Sequence, residues 1–343
     1  MDLFHELLHG EMNCSTVLLY PNDTTIELAA DALRRGKVVA FPTETVYGLG
    51  VDAFNPAAVA SVFAAKKRPR FDPLIVHIAD LAMLESVVDL EALESRTMLD
   101  KLMRNLWPGP LTVILPKQAA VPDIVTAGLS TVALRFPDHD VAQKLIRLST
   151  GAIAAPSANL FGRLSPTRAE HVVQSLGGVA DYIIDDGKTG IGLESTVLDL
   201  CSSQPCILRP GGTTQEQLEA LIGPVLREYD SKMISSPGQL KSHYAPKTAL
   251  HVYPLKGLPY YTDAAYLFFD GKSRDSWCAC NPAAAKIYVL SESGSLSEAA
   301  ANLFILLHEL DTETMSAIYA QLAPEKGLGI AINDRLKRAS VHG

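Results

Sequence analysis

Lys66, Lys67, Arg68 and Arg70 stand within five positions, directly before the apolar run Pro73-Leu-Ile-Val-His77. Cations fixed at the mouth of a strand hold a polyphosphate through charge-assisted hydrogen bonds, and arginine adds a planar fork that matches phosphate oxygens. The same cluster also reads as a solvated charged face, the commoner fate of such runs. Arg135 is more pointed, because it sits inside the apolar stretch Val132 to Phe136. A guanidinium there is costly to bury unless it meets an anion, which is either a neighbouring carboxylate or a bound one. His77 is either a donor to a substrate oxygen or a core histidine satisfied by its neighbours. Glu44 is either a general base or a cap on the segment that follows it.

Two turns add small polar groups. Ala155-Pro-Ser157-Ala-Asn159 follows one apolar strand, and Ser165-Pro-Thr167 comes soon after it. Such turns let backbone N–H groups approach an anion, although Ser, Asn and Pro also punctuate loops for local reasons. The Gly-rich loop Gly187 to Thr196 ends in Glu194-Ser195-Thr196, and Arg209-Pro-Gly-Gly places one more cation near the same region. The usual phosphate loop, Gly-x-x-x-x-Gly-Lys-Ser/Thr, is missing. Gly190-Ile-Gly192 begins like a dinucleotide fingerprint but lacks the third glycine. No Ser-His-Asp order or His-Glu-x-x-His helix stands out, so a hydrolase gains no support. Any ATP site in this chain is therefore built from scattered strand ends.

The elements that must position these groups alternate. A helix is expected over residues 24–36, capped by Thr24 or Thr25 and stopped by Gly36. A strand over 37–41 ends at Pro42, which leaves Thr43, Glu44 and Thr45 where strand gives way to loop. Further strands are expected at 74–78, 111–115, 132–136, 153–155, 182–185 and 195–200, and helices at about 55–70, 80–105, 138–149 and 167–177. This mixture predicts an α/β or α+β domain over residues 1–227. Residues 228–247 are aperiodic and contain two prolines, so they read as a linker or lid. A second, smaller α/β unit follows over 248–343, with strands in 248–270 and helices at 295–310 and 333–340.

Composition narrows the class. The chain has 343 residues, 48% of them hydrophobic and 20% charged, which fits two ordinary domains. A net charge of -8 weighs against a broad nucleic-acid-binding face, so direct tRNA binding is not expected. Five cysteines without regular spacing fit a reducing compartment, and Cys278 with Cys280 makes too small a set for zinc. The acidic first residues lack the basic segment of a secretory signal, and no apolar run approaches the roughly 18 residues of a membrane span. A cytoplasmic protein is expected.

Read in order, Phe-Pro-Thr43-Glu-Thr-Val-Tyr-Gly-Leu-Gly, Lys66-x-Arg68-Pro, Pro73-Leu-Ile-Val-His77, Trp-Pro-Gly-Pro-Leu-Thr112, Arg135-Phe-Pro, Pro-Ser157-Ala-Asn159 and Glu-Ser195-Thr closely resemble the YrdC-like threonylcarbamoyl-AMP synthases. Ser236-Pro-Gly, His243-Tyr-Ala-Pro and the run from Gly327 to Leu336 are similar to the long, two-domain form of that family. The resemblance implies a twisted-sheet catalytic domain with a deep cavity, followed by a Rossmann-like accessory domain. It implies that Thr43, His77, Arg135 and Ser195 contact L-threonine. It further implies that Lys66, Arg68, Arg70, Thr131, Ala155, Ser157, Asn159, Ser165 and Arg209 line ATP, that Lys66 and Arg68 serve catalysis, and that Tyr244 reaches over the cavity.

The implied reaction joins L-threonine, bicarbonate or CO2, and ATP into threonylcarbamoyl-AMP and pyrophosphate, for N6-threonylcarbamoyladenosine at position 37 of ANN-decoding tRNAs. Mg2+ is expected to arrive with ATP, and the product to pass to the tRNA threonylcarbamoyl transferase. Lys66→Ala is expected to lose most activity while folding normally. Asp72 and Asp140 depart from the family's usual residues, and Asp72 is expected to weaken the grip of Arg70 on phosphate. The alternatives are an RNA-binding module of the same fold and a carbamoyl-adenylating domain of hydrogenase maturation, which would need attached segments that this chain lacks.

Overall fold

A computed structural model of the chain describes residues 16–227, 243–254, 257–281, 286–312 and 315–341. Among these residues the larger sheet has eleven strands, most of them short. They are β1 (Val17–Leu19), β2 (Val39–Phe41), β3 (Gly48–Asp52), β4 (Ile75–His77), β5 (Leu111–Pro116), β6 (Thr131–Arg135), β7 (Ile153–Ala154), β8 (Tyr182–Ile184), β9 (Thr196–Asp199), β10 (Cys206–Arg209) and β11 (Leu226–Arg227). Their order is β1-β8-β2-β3-β7-β4-β6-β5-β9-β10-β11, so the pairings are mixed and largely non-sequential. The strand alternation feeds two cores. Val39 and Phe41 pack in one apolar cluster, and Ala40 between them packs in another.

The smaller sheet is wholly parallel. It comprises β12 (Leu250–Tyr253), β13 (Ala265–Asp270), β14 (Lys286–Ser291) and β15 (Ile318–Gln321), in the order β12-β15-β13-β14. Helices Gly271–Cys278, Leu296–Asp311 and Leu328–Ala339 alternate with these strands, giving the Rossmann-like second domain of an α/β protein. Its core does not stop at its own sheet, for Val46, Leu164 and Leu193 of the first domain belong to the same cluster.

Local chemistry adjusts several expected elements. The first helix runs Asp23–Arg34 and its cap is Asn22, not Thr24 or Thr25. Asn22 Oδ1 accepts from Thr25 N and Thr25 Oγ1 accepts from Asn22 N, each at 3.0 Å, so Thr25 is the inner half of a capping box. The helix expected over 80–105 is broken into a turn at Leu81–Met83 and helices Leu84–Val87 and Arg96–Leu106. Between them Asp89 N donates to Pro116 O at 3.0 Å, tying the chain to the end of β5 instead of continuing the helix. The last helix begins five residues before its expected start, at Leu328, and Gly327 with φ +50 supplies its entry. Of the linker, residues 228–242 lie outside the described residues.

Candidate functional site

Sheet register assembles the core of the site. His77 on β4 pairs with Arg135 on β6, and Arg135 pairs with Thr112 on β5, so the three lie side by side across adjacent strands and share a face. Thr112 is next to Val197 on β9, which brings the preceding Ser195 within reach: Thr112 Oγ1 and Ser195 Oγ are 2.7 Å apart. Thr43 sits just past β2, where its hydroxyl donates to Val46 O at 2.6 Å and so folds the strand-end loop back toward the sheet. Thr43, His77, Arg135 and Ser195 line one cavity together with Arg68, Ala155, Ser157, Arg209 and Tyr244, and Thr112 bears on it through Ser195. It encloses about 550 Å³ of empty space, part of it open to solvent.

The cavity is electropositive, and most of the side chains that line it are buried. Arg135, only 4% exposed, meets Glu44 at 2.7 Å, so the anion this guanidinium demanded is partly internal. His77 is held near pKa 3 by burial first and Arg135 second, and therefore stays neutral at physiological pH. Its Nδ1 has no hydrogen-bond partner among the described residues, and neither has Nδ1 of His243, which lines the same cavity. Buried polar atoms of this kind fit a site that takes a polar ligand. Arg209 donates to Ser195 O at 2.8 Å and to Ser195 Oγ at 3.1 Å. Tyr244 is 1% exposed and adopts φ +64, a left-handed conformation rare outside glycine that is tolerated where the surroundings impose it.

The basic cluster divides. Arg68 reaches the cavity, but its guanidinium is tethered to Asp72 Oδ1 at 2.9 Å and Pro73 O at 2.9 Å. Asp72 thus acts on Arg68, correcting the expectation that it bears on Arg70. Arg70 is exposed and is not among the cavity-lining residues. Lys66 is 1% exposed and points away from the lining, its Nζ donating to Ser157 O at 2.5 Å and to Asn159 O. Burial first and Arg68 second push the Lys66 ammonium well below the usual lysine range. In this state Lys66 holds the Ser157–Asn159 turn that forms the wall and does not itself face the space.

Thr131, Asn159 and Ser165 are also off the lining. Thr131 opens β6 at its far end, Asn159 Nδ2 donates to Leu160 O and Arg163 O, each at 2.9 Å, and Ser165 Oγ donates to Glu194 Oε1. Sequence reasoning passed over several groups at or beside this cavity. Thr112 was visible only as part of a motif, although a hydroxyl in an apolar strand is a signal. Glu194 was read for its neighbours, and Arg335 gave no local signal at all. Among the described residues no group of three His, Cys, Asp or Glu side chains converges to hold a metal ion.

Comparison with known proteins agrees over most of the chain. The family model Sua5/YciO/YrdC, described as telomere recombination, matches residues 31–211, and the model described as threonylcarbamoyl-AMP synthase, C-terminal domain, matches residues 213–341. The threonylcarbamoyl-AMP synthase of Bacillus subtilis is 43% identical, with 94% of each chain covered. That of Pyrococcus abyssi is 42% identical over 92% of this chain and 94% of its own. The crystal structure of P. abyssi Sua5 complexed with L-threonine superposes with a TM-score of 0.83 and 37% identity, covering 95% of this chain and 97% of that one.

Proposed function

Since the chain belongs to the Sua5/YrdC family of threonylcarbamoyl-AMP synthases, we propose that it adenylylates the N-carboxylate of L-threonine, as a nucleotidyltransferase that serves tRNA modification. The observation that carries this reading is one cavity holding two kinds of subsite. Arg135, His77, Thr43 and Ser195, whose hydroxyl meets Thr112 at 2.7 Å, offer the polar groups a small hydroxylated amino acid needs, and Arg68 and Arg209 line the same space with charge for phosphate. The solved Sua5 relative carries L-threonine, which supports the first assignment.

The chemistry divides into two balanced steps. The threonine amine adds to CO2 derived from bicarbonate and loses a proton, giving the carbamate. A carbamate oxygen then attacks the α-phosphorus of ATP, forming the mixed anhydride as the bond to pyrophosphate breaks. Arg135 holds the amino-acid carboxylate, sharing its fork with Glu44, and neutral His77 donates or accepts without adding charge. Arg68 and Arg209 stabilise the charge that gathers on the leaving pyrophosphate. Their anchors at Asp72, Pro73 and Ser195 fix them in advance, so little reorganisation is needed during the reaction. Both carbamate and anhydride decompose in water, and the burial of Arg135, Ser195, His243 and Tyr244 limits the access of solvent to where they form.

Mg2+ is proposed to come coordinated by the phosphates of ATP, and no step here passes through a protein-held metal. Transfer of the product to the tRNA threonylcarbamoyl transferase and residence in the cytoplasm belong to the same proposal. No helix among the described residues is long and apolar enough to cross a membrane. The test is pyrophosphate release with threonine, bicarbonate and ATP omitted one at a time. Loss of release in every omission supports the reaction, and release that persists without threonine refutes it. Salt-sensitive RNA binding without any turnover would favour the RNA-binding module instead.

A further inference from the structure

One side chain of the second domain reaches the wall of the first domain's cavity. Arg335, on helix Leu328–Ala339, is fully buried. Its Nε donates to Glu194 Oε2 at 2.8 Å, its Nη2 to Pro210 O at 2.9 Å and its Nη1 to Asp334 Oδ2 at 2.5 Å. The guanidinium also lies 5.0 Å from the centroid of the Tyr244 ring. Each of these partners outside the second domain adjoins or lines the cavity. Glu194 of the first domain and Tyr244 of the linker are lining residues, and Pro210 follows Arg209.

A planar fork can satisfy this arrangement and a flexible ammonium cannot. Three donors point at three separate acceptors while the face of the same plane covers an aromatic ring. The carboxylate is held from both sides, for Ser165 Oγ donates to Glu194 Oε1. Burial alone would raise the Glu194 carboxyl, but Arg335 and then Arg209 hold it down to about 2, so it stays ionised wherever the enzyme works. Ser195 and Arg209 leave this anchored pair of segments toward the substrate, and Arg209 donates back to Ser195 O. We propose that Arg335 is a positioning residue of the second domain, fixing Glu194–Ser195, Arg209–Pro210 and Tyr244 in the geometry the reaction needs. This rests on the proposed function for the reaction, but the clamp itself is read from the contacts.

Arg335→Lys and the double variant Arg335→Met with Glu194→Gln test it, alongside Arg335→Met alone. Lysine keeps the charge opposite Glu194 but loses the fork and the stacking, and the double variant removes the buried charge that methionine would leave uncompensated. Thermal unfolding, threonine binding by calorimetry, and the KM and kcat of pyrophosphate release are measured on each. The expected result is that Arg335→Lys and the double variant unfold within a few degrees of wild type while threonine binds at least tenfold more weakly. In Arg335→Met the activity should gain an acid limb that vanishes in the double variant, because Glu194 then titrates nearer neutrality. Wild-type threonine affinity and turnover in a folded Arg335→Lys protein would overturn the clamp. If wild type binds threonine but releases no pyrophosphate, the reaction falls, and the calorimetry still decides the clamp by the same criterion.

Discussion

Two side chains at the site look alike in sequence and behave differently in the fold. Arg135 presents its fork to the cavity and shares it with Glu44, so it is free to meet an incoming carboxylate. Arg135→Gln should therefore raise threonine KM, with a loss of about 1.5–3 kcal/mol in kcat/KM, roughly 10- to 150-fold, typical for a hydrogen bond to a charged group. Steady-state kinetics at varied threonine checks this, and an unchanged KM would remove Arg135 from the substrate. Lys66 is instead spent on the Ser157 and Asn159 carbonyls. The sequence-based expectation that Lys66→Ala folds normally is thus revised, because the buried Asn159 carbonyl would lose its donor at about 1–3 kcal/mol, while Ser157 O would keep Asn159 N at 3.0 Å. Lys66→Ala should lose activity and also show a clearly lowered unfolding midpoint. Normal melting with no activity would return Lys66 to direct phosphate binding. Arg135 was legible as a buried cation and Lys66 only as one of a cluster at a strand mouth, and which anion or carbonyl each would meet depends on segments far away in sequence.

Between elements, the close approach of helix Leu296–Asp311 to the Gly187–Thr196 loop transmits packing to chemistry. A Cβ on Gly192, whose φ is +74, would lie 2.6 Å from Ala300 O and from the Ala301 Cα. The adjacent Ile191 N donates to Glu44 O at 2.8 Å, and Glu44 pairs with Arg135. Gly192→Ala should therefore lower the midpoint by several degrees and raise threonine KM together; a change in either alone would break this linkage. In the Gly190-Ile-Gly192 run, already short of a dinucleotide fingerprint in the sequence, Gly192 is the glycine that a helix contact requires, while a Cβ on Gly190 would meet nothing within 4 Å. The same two domains stack His171 on His308, ring centroids 3.8 Å apart and planes 19° apart. Burial first, then His308 and Arg168, hold His171 near pKa 3, and burial likewise lowers His308 against Ser165 O and Asp311. A histidine neutral when folded takes up its proton only on unfolding, so stability is full above about pH 6.5 and falls as pH drops toward 3. From pH 7.5 to 5.5 the loss is about 1.4 kcal/mol for His171, and His308 adds a loss in the same direction. Glu194 adds nothing in that window, since its own loss begins only below its unfolded value of 4.5. Urea unfolding at both pH values should show a smaller loss for His308→Gln than for wild type, and equal losses would show that the stack does not titrate as described.

Across the whole molecule, the presence of two α/β units was legible in the sequence, and the parallel second sheet follows from its alternating strands and helices. What sequence did not reveal is how far the domains interpenetrate. Val46, Leu164 and Leu193 complete the core of the second domain, and Arg335 bonds to Glu194 across 141 positions of sequence. Such contacts have no periodicity, because they are set by how two finished surfaces meet. Removing residues from 232 onward should therefore do more than shorten a tether. It exposes those three apolar side chains, leaves buried Glu194 without Arg335, and takes Tyr244 from the cavity wall. An uncompensated buried charge alone costs about 3–5 kcal/mol, a large share of a domain's stability. The truncated chain is expected to melt well below the full-length protein and to lose threonine-dependent pyrophosphate release. Circular dichroism beside the assay separates the two effects. A truncated protein that melts normally and turns over at the full rate would mean that the first domain builds its site unaided.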